Sequence, residues 1–365
     1  MAYFALSYMG VRDRLNPLCH LGDKDFTTVS VQTQIKEALA MNPVERLMAA
    51  TSDDMALVNE MILSRAHSHV DMVPELARYL IDSGGKRLRP MLTVAASILF
   101  GRKTPYAVNF AAAVEFMHNA TLLHDDVVDE SDMRRGKPAA RMVWGNKASI
   151  LVGDFLLGQA FMMMVETNNI EALGVLSSAS AVMAEGEVFQ LSKTGDLTTT
   201  PEDYAAVIRA KTAVLFEAAC EVGALSGGAD LAGRDALKLY GLELGNAFQL
   251  VDDALDYGGQ AASLGKNVGD DLREGKMTLP VILALQSATD SERALISSAL
   301  GNMDASDLEV AQVVAIFNRY DTLTKTLDKA QAHAQAAIAA LDALPDSEMK
   351  SILADVVVHS VSRAA

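Results

Sequence analysis

The sequence predicts an all-helical bundle, and three observations carry that expectation. Apolar residues recur at helical rather than alternating intervals, as in Leu57, Met61, Leu63 and Val114, Met117, Thr121, the repeat of helices with a buried face. Short alternating runs bounded by turns, the mark of strands, are nearly absent. Alanine is abundant, which favours helix and lets helices approach closely. With 365 residues, 50% of them hydrophobic and 5% aromatic, the chain can bury a large core.

The elements follow in order. Residues 1–40 have mixed polarity and no sustained period, and read as a loose extension. Met41-Asn42-Pro43 opens a single domain over 41–365. A helix begins around Tyr106 and runs to the acidic stretch at Asp125. Thr200-Pro201-Glu202-Asp203 has a capping Thr, a first-turn Pro and early acids. Thr289-Asp290-Ser291-Glu292 and Ser306-Asp307-Leu308-Glu309 both fit the capping box. Gly101 before Pro105, Gly195, Gly227-Gly228 and Gly258-Gly259 read as stops. The count comes to roughly a dozen helices.

Charge excludes one class of partner. Thirty-one Lys and Arg against 47 Asp and Glu give a net charge of -16, whereas nucleic-acid binders carry a basic excess. Two cysteines make no disulfide framework, so a reducing, cytoplasmic setting is expected. No run of about 18 uncharged apolar residues suggests a membrane span. The N-terminus lacks the basic start of a secretory signal, and Asp13, Asp23 and Asp25 argue against a presequence built on Arg12 and Arg14.

Two acidic clusters carry the chemistry. In Asp125-Asp126-Val127-Val128-Asp129, positions i and i+4 share a helix face, so Asp125 and Asp129 project together. Asp126 lies about 100° round. Three close carboxylates repel one another, and hard oxygen ligands suit Mg2+. The plain alternative is a solvated helix end paired with Arg134 and Arg135, although acids at a helix C-terminus oppose its dipole. Asp252-Asp253-Ala254-Leu255-Asp256 repeats the pattern behind Phe248-Gln249-Leu250-Val251. Two such clusters on facing helices are suited to holding several Mg2+ with a diphosphate bridging them.

Cations flank these clusters. Gly84-Gly85-Lys86-Arg87-Leu88-Arg89-Pro90 sets three beside a Gly pair. Arg134-Arg135 follows the first cluster, Lys211-Thr212 lies mid-chain, and Lys266 and Lys276 follow the second. Arg offers forked donors for phosphate and Lys a mobile charge. Each alone is ordinarily a surface charge. His118 and Gln249 fall on the faces of their respective clusters, where a core histidine and a core-edge amide are the plainer readings. Met162-Met163-Met164 reads as core filler.

Taken together, these motifs resemble trans-type polyprenyl diphosphate synthases. Leu122 to Ser131 with Met133-Arg134-Arg135-Gly136 resembles the first aspartate-rich motif, and Phe248 to Tyr257 the second. Gly84 to Pro90 resembles the homoallylic diphosphate motif. Gly153-Asp154-Phe155-Leu156, Gly186-Glu187, Lys211-Thr212 and Gly269 to Lys276 match in the same order. The resemblance covers about residues 45 to 363, and its wording is nearest to the long-chain branch that makes quinone side chains. One departure is Ala139, where many relatives have Thr.

The resemblance implies an isoprenoid synthase fold, a helical bundle around a deep central cavity. It implies elongation of an allylic diphosphate, such as farnesyl diphosphate, head to tail with isopentenyl diphosphate. Asp125, Asp129, Asp252 and Asp256, with Asp126 and Asp253 nearby, would hold two or three Mg2+. Lys86, Arg89, His118 and Arg135 would grip isopentenyl diphosphate. Arg134, Lys211, Thr212, Gln249, Lys266 and, less directly, Lys276 would face the allylic diphosphate. Lys211 also counts with the aspartates as catalytic. The final proton has no assigned side-chain base.

In the family, bulky residues one turn before the first motif stop growth. Here Ala120 and Thr121 are small, with Met117 above them, so a product of eight to ten isoprene units is expected. Phe161 or Met162 to Met164 would form the floor. A homodimer is expected, with peripheral membrane contact for product release. The alternatives are a shorter-chain (geranylgeranyl) synthase and a non-catalytic subunit of a heteromeric one.

Overall fold

The computed structural model describes residues 41–82, 85–102, 104–258 and 268–362. The expected N-terminal extension lies outside them. The unit from Pro43 onward is compact by itself.

Helices α1 (Pro43–Ala50), α2 (Ser52–Arg65), α3 (Met72–Asp82), α4 (Leu88–Leu99) and α5 (Ala107–Val128) come first. A two-residue hairpin, β1 (Met133–Arg134) with β2 (Lys137–Pro138), follows. Then come α6 (Ala140–Trp144), α7 (Asn146–Glu166), α8 (Ile170–Lys193), α9 (Pro201–Ile208), a π turn (Arg209–Ala213), α10 (Val214–Gly227) and α11 (Leu231–Asp256). The chain closes with α12 (Asp270–Arg273), α13 (Leu279–Ser287), α14 (Asp290–Ala299), α15 (Asp307–Arg319), α16 (Thr322–Ala340), a 3-10 turn (Leu341–Ala343) and α17 (Glu348–Ser362). Helical segments outnumber the expected dozen because short pieces such as α6 and α12 fill connections between long helices.

The caps act as their residues dictate. Thr200 with Asp203, Thr289 with Glu292 and Ser306 with Glu309 each form reciprocal capping boxes, satisfying N–H groups that a helix start leaves open. Gly228, at φ 77°, stops α10 in the left-handed region.

Helix α5 is the axis of the site. Every residue from Phe110 to Met117 is buried, so this stretch is enclosed on all sides. Helices α4 and α10 pack in close contact, because a Cβ at Gly223 would stand 2.2 Å from the Thr93 carbonyl oxygen. One apolar cluster joins α4, α5 and α10 through residues such as Leu92, Phe116 and Phe216. A second joins the end of α11 to α12–α16 through Val251, Leu272, Ile296 and Phe317.

One sequence expectation changes. In α2 the buried stripe is Met55, Val58 and Ile62, whereas Leu57 and Leu63 face outward. Apolar residues on both sides of that helix concealed which side packs. Helices α7 and α8 are long and apolar enough to cross a membrane by length and composition alone, although Asp154 interrupts α7. In the bundle α7 buries Val152, Leu156, Ala160, Met163 and Met164, and α8 buries Ala172, Leu176, Ala179 and Met183. That one-sided pattern belongs to packed helices. Their other faces leave Leu151 67%, Ile170 80% and Val188 68% exposed.

Candidate active site

The last turns of α5 carry the first cluster, and its three carboxylates divide. Asp126 is buried and accepts from Arg134 Nε at 2.7 Å. Asp125 and Asp129 lie one turn apart on the other face, and Asp129 caps the helix. Burial pushes the Asp125 carboxyl up to about 7, with Lys211 opposing the rise and Glu187 and Asp129 adding to it. Arg134 is delivered by the hairpin. Its turn residues Arg135 (φ 52°) and Gly136 (φ 76°) are both left-handed, as a tight two-residue hairpin requires. The Arg135 guanidinium then lies against Gly85, where a Cβ would come within 2.8 Å of Nη1.

The second cluster ends α11 and divides differently, with Asp253 and Asp256 both buried and Asp252 half-buried. Asp253 is buried, and both its oxygens are taken: Gln249 Nε2 donates at 2.7 Å and the Tyr204 hydroxyl at 2.6 Å. Gln249 in turn accepts from Thr212 Oγ1 at 2.7 Å. Burial, then Asp271, raises the Asp253 carboxyl to about 7, against the pull of its two donors. Asp256 accepts from the Asp271 backbone N–H at 3.2 Å, which ties α12 to α11.

Lys276 brings the two clusters to one end of the bundle. Its Nζ lies 3.2 Å from Asp129 and 3.9 Å from Asp271, and it pairs with Glu274. Burial opposes its charge, but Asp271, Asp129 and Glu274 outweigh that and hold its pKa above the usual lysine value. The sequence placed Lys276 beside the second cluster; it also reaches the first.

Lys211 and Thr212 sit in the π turn, an irregularity common at functional sites. The turn fits because residue 186 is glycine: a Cβ there would meet the Ala210 Cβ at 2.4 Å. Lys211 pairs with Glu187 at 3.0 Å.

Arg87, Arg89 and Arg135 gather further back along α5, around Glu115. Arg89, in the first turn of α4, places Nη1 3.3 Å from His118 Nε2 and its guanidinium carbon 4.3 Å from the Phe216 ring centre. Burial lowers the Arg89 pKa to about 10, with Glu115 opposing and Arg135 assisting. Burial, then Arg89, pushes His118 well below its usual value, so its imidazole is neutral near pH 7. Arg87 adopts a left-handed conformation at φ 47°, and Lys86 is exposed. Lys266 and Gly84 fall outside the described residues.

Met117 and Ala120 are buried on α5, and the half-buried Thr121 donates to the His118 carbonyl at 2.8 Å. Of the floor candidates, Met163 and Met164 are buried and Phe161 partly so. Met162 is 52% exposed and faces outward, since consecutive residues of a helix point about 100° apart. Sequence reasoning missed Tyr204, Glu115 and Phe216, and gave Glu187 no role. Glu115 had a signal, being the one acid inside the apolar run Phe110–Met117. Tyr204 and Phe216 had none, because their partners come from other helices.

Among the described residues, no three His, Cys, Asp or Glu side chains converge closely enough to hold a metal alone. That suits Mg2+, which is held by one or two carboxylates with substrate phosphates completing its shell. The donor chemistry fits: hard carboxylate oxygens from two helix ends, with Lys276 already supplying positive charge between them.

An all-helical bundle with paired aspartate clusters at one end and a gathering of Arg, Lys and His beside them defines a diphosphate-handling synthase. The sequence profile of the polyprenyl synthetase family matches residues 70–317, and the chain belongs to that family. It is 44% identical to octaprenyl diphosphate synthase of Escherichia coli (strain K12) over 310 residues, 85% of this chain and 96% of the relative. Its fold is similar to a decaprenyl diphosphate synthase from Rhodobacter capsulatus (TM-score 0.85, 47% identity, 88% of this chain and 99% of that one). It is also similar to a polyprenyl synthase from Caulobacter crescentus CB15 complexed with calcium and isoprenyl diphosphate (TM-score 0.84, 48% identity, covering 88% and 98%).

Proposed function

We propose that the protein is a trans-prenyltransferase that condenses isopentenyl diphosphate with an allylic diphosphate, such as farnesyl diphosphate, to make a polyprenyl diphosphate of eight to ten isoprene units. The observation that carries this reading is Lys276, which pairs with Asp129 of the first cluster and lies 3.9 Å from Asp271, whose backbone N–H bonds Asp256 of the second, with the Arg89–His118 group nearby. His118 precedes Asp125 by two helical turns, which is about 10 Å along the axis. That spacing leaves room for two diphosphates side by side.

Two or three Mg2+, bound when substrate is present, supply Lewis-acid stabilisation of the leaving diphosphate. Asp125, Asp129, Asp252 and Asp256 are the carboxylates that would hold them. In the reaction the allylic C–O bond breaks and its electron pair leaves with diphosphate. The terminal double bond of isopentenyl diphosphate closes the new C–C bond, and a proton is then lost. Arg134, Lys211, Lys266 and Lys276 offset charge on the leaving group, and Thr212 and Gln249 orient it. Lys86, Arg89, His118 and Arg135 hold isopentenyl diphosphate in line. The apolar helix faces keep water from the carbocation.

Small residues at Ala120 and Thr121 support a long product, as do the octaprenyl and decaprenyl relatives. The outward apolar faces of α7 and α8 support a homodimer. In this reading the site opens to the cytoplasm, with the product passing to a membrane surface. Residues 1–40 are an appendage, and removing them leaves elongation intact. The test is incubation of the folded protein with farnesyl diphosphate, isopentenyl diphosphate and Mg2+, followed by sizing of the product. Products of about forty to fifty carbons are expected from eight to ten five-carbon units. A twenty-carbon product would make it a shorter-chain synthase, and no elongation would overturn the reading.

A further inference from the structure

We propose that Phe216 is a positioning residue for isopentenyl diphosphate, its ring being the platform that fixes the Arg89 guanidinium at the binding site. The inference rests on the reading of Arg89 as a diphosphate-binding residue.

Arg89 is half-buried, yet few groups hold it. Among the described residues its Nε has no hydrogen-bond partner, and Nη1 lies 3.3 Å from the His118 ring nitrogen. Its guanidinium carbon lies over the Phe216 ring, 4.3 Å from the ring centre. An aromatic face attracts a cation without accepting in-plane hydrogen bonds. The planar N–H donors of Arg89 therefore stay available to an anion arriving at the edge. A carboxylate in the same place would occupy those donors and compete with the substrate.

Phe216 is itself immobilised. Its ring is fully buried and packs 5.9 Å from the Phe248 ring, tilted by 39°. Phe248 belongs to α11, which approaches so closely that a Cβ at Gly241 would lie 2.4 Å from the Phe216 carbonyl oxygen. A Cβ at Gly245 would lie 3.2 Å from the ring itself.

The spacing of α4 and α10 sets the stacking height. Gly223 and Gly227 on α10 meet Thr93 and Ser97 on α4 with no room for a side chain. Thr93 is one turn beyond Arg89, and Gly223 is two turns beyond Phe216. The close helix contact thus brings ring and guanidinium to van der Waals distance. Glu115, buried one helical turn before His118, opposes the lowering of the Arg89 pKa by burial.

Steady-state kinetics with each substrate varied in turn will test the proposal, using Phe216→Leu, Phe216→Tyr and Arg89→Gln, with folding checked by circular dichroism melting. Phe216→Leu keeps an apolar side chain but removes the ring. It is expected to raise KM for isopentenyl diphosphate about tenfold, equivalent to about 1.4 kcal/mol, and to leave KM for the allylic diphosphate within about twofold. Phe216→Tyr keeps the ring and should stay near wild type. Arg89→Gln should raise KM for isopentenyl diphosphate further, and adding Phe216→Leu to it should change little. If the leucine variant does not fold, Phe216→Met gives the same comparison. Arg89→Gln raising that KM while the ringless variants leave it alone, or raise both KM values equally, would overturn the platform and leave the site reading standing. An unchanged KM in Arg89→Gln would overturn both.

Discussion

Asp126 and Asp253, each second in its cluster, turn into the protein, where one accepts from Arg134 and the other from Gln249 and Tyr204. Asp125, Asp129 and Asp252 are only half-buried, while Asp256 is buried and accepts from the Asp271 backbone N–H. Tyr204 matters through this arrangement, since its hydroxyl fixes the carboxylate that orients Gln249, which in turn receives Thr212. Tyr204→Phe is expected to raise KM for the allylic diphosphate several-fold, with KM for isopentenyl diphosphate within about twofold, because a charge-assisted hydrogen bond contributes about 1.5–3 kcal/mol. Steady-state kinetics on both substrates will check this. Away from the site, Glu292 accepts from the Thr289 backbone N–H at 2.9 Å and the Tyr320 hydroxyl at 2.7 Å, which hold its carboxyl down to about 2 from an ordinary 4.5. A lowered carboxyl stabilises the fold fully above its unfolded pKa and loses that effect as pH falls through the folded one. The gap in Tm between wild type and Glu292→Gln should therefore be full near about pH 6 and shrink steadily below about pH 4.5, towards about pH 2. A gap that does not narrow on acidification would contradict it.

At the scale of elements, much was legible in local chemistry. The capping boxes at Thr200, Thr289 and Ser306 are contained within four residues, so sequence alone located those helix starts. The two aspartate clusters were legible because i and i+4 spacing puts carboxylates on one face whatever surrounds the helix. The α2 stripe was not, since Leu57 and Leu63 are as apolar as Val58 and Ile62 and only packing tells the two sides apart. Nor were the contacts of Tyr204, Phe216 and Lys276, each of which depends on a partner more than thirty residues or a full helix away. Helix α5 offers the direct test of product length. Ala120 is buried one turn before the first cluster, and Ala120→Phe should shorten the product sharply. Chromatographic sizing of the products will show this, and an unchanged length would sink the steric account.

For the whole molecule, the net charge of -16 is a poor guide to the site, because six of the acids stand in two clusters that cations serve. Lys276 offsets part of that charge between Asp129 and Asp271. The apolar outer faces of α7 and α8 are the larger-scale counterpart. Leu151, Met162, Val165, Ile170, Val188 and Leu191 are all exposed there. In the homodimer proposed above, a second copy of this chain covers them. Leu151→Asp combined with Val188→Asp should convert a dimer to monomers in sedimentation equilibrium without a large loss of helical signal. Sedimentation as a monomer by the unaltered protein would remove the reason for the prediction.

The π turn at Arg209–Ala213 has an angular consequence. At about 100° per residue, positions eight apart on an unbroken helix point about 80° away from each other. A wide turn absorbs one extra residue, so Tyr204 and Thr212 come back to within about 20° of a common bearing. That is how one short stretch of chain reaches both ends of the Gln249–Asp253 pair. Inserting one further residue between Tyr204 and Thr212 would keep every functional side chain, yet it would rotate one anchor about 100° away from the other. The active site would then fail through lost phase, with its full set of residues still in the chain.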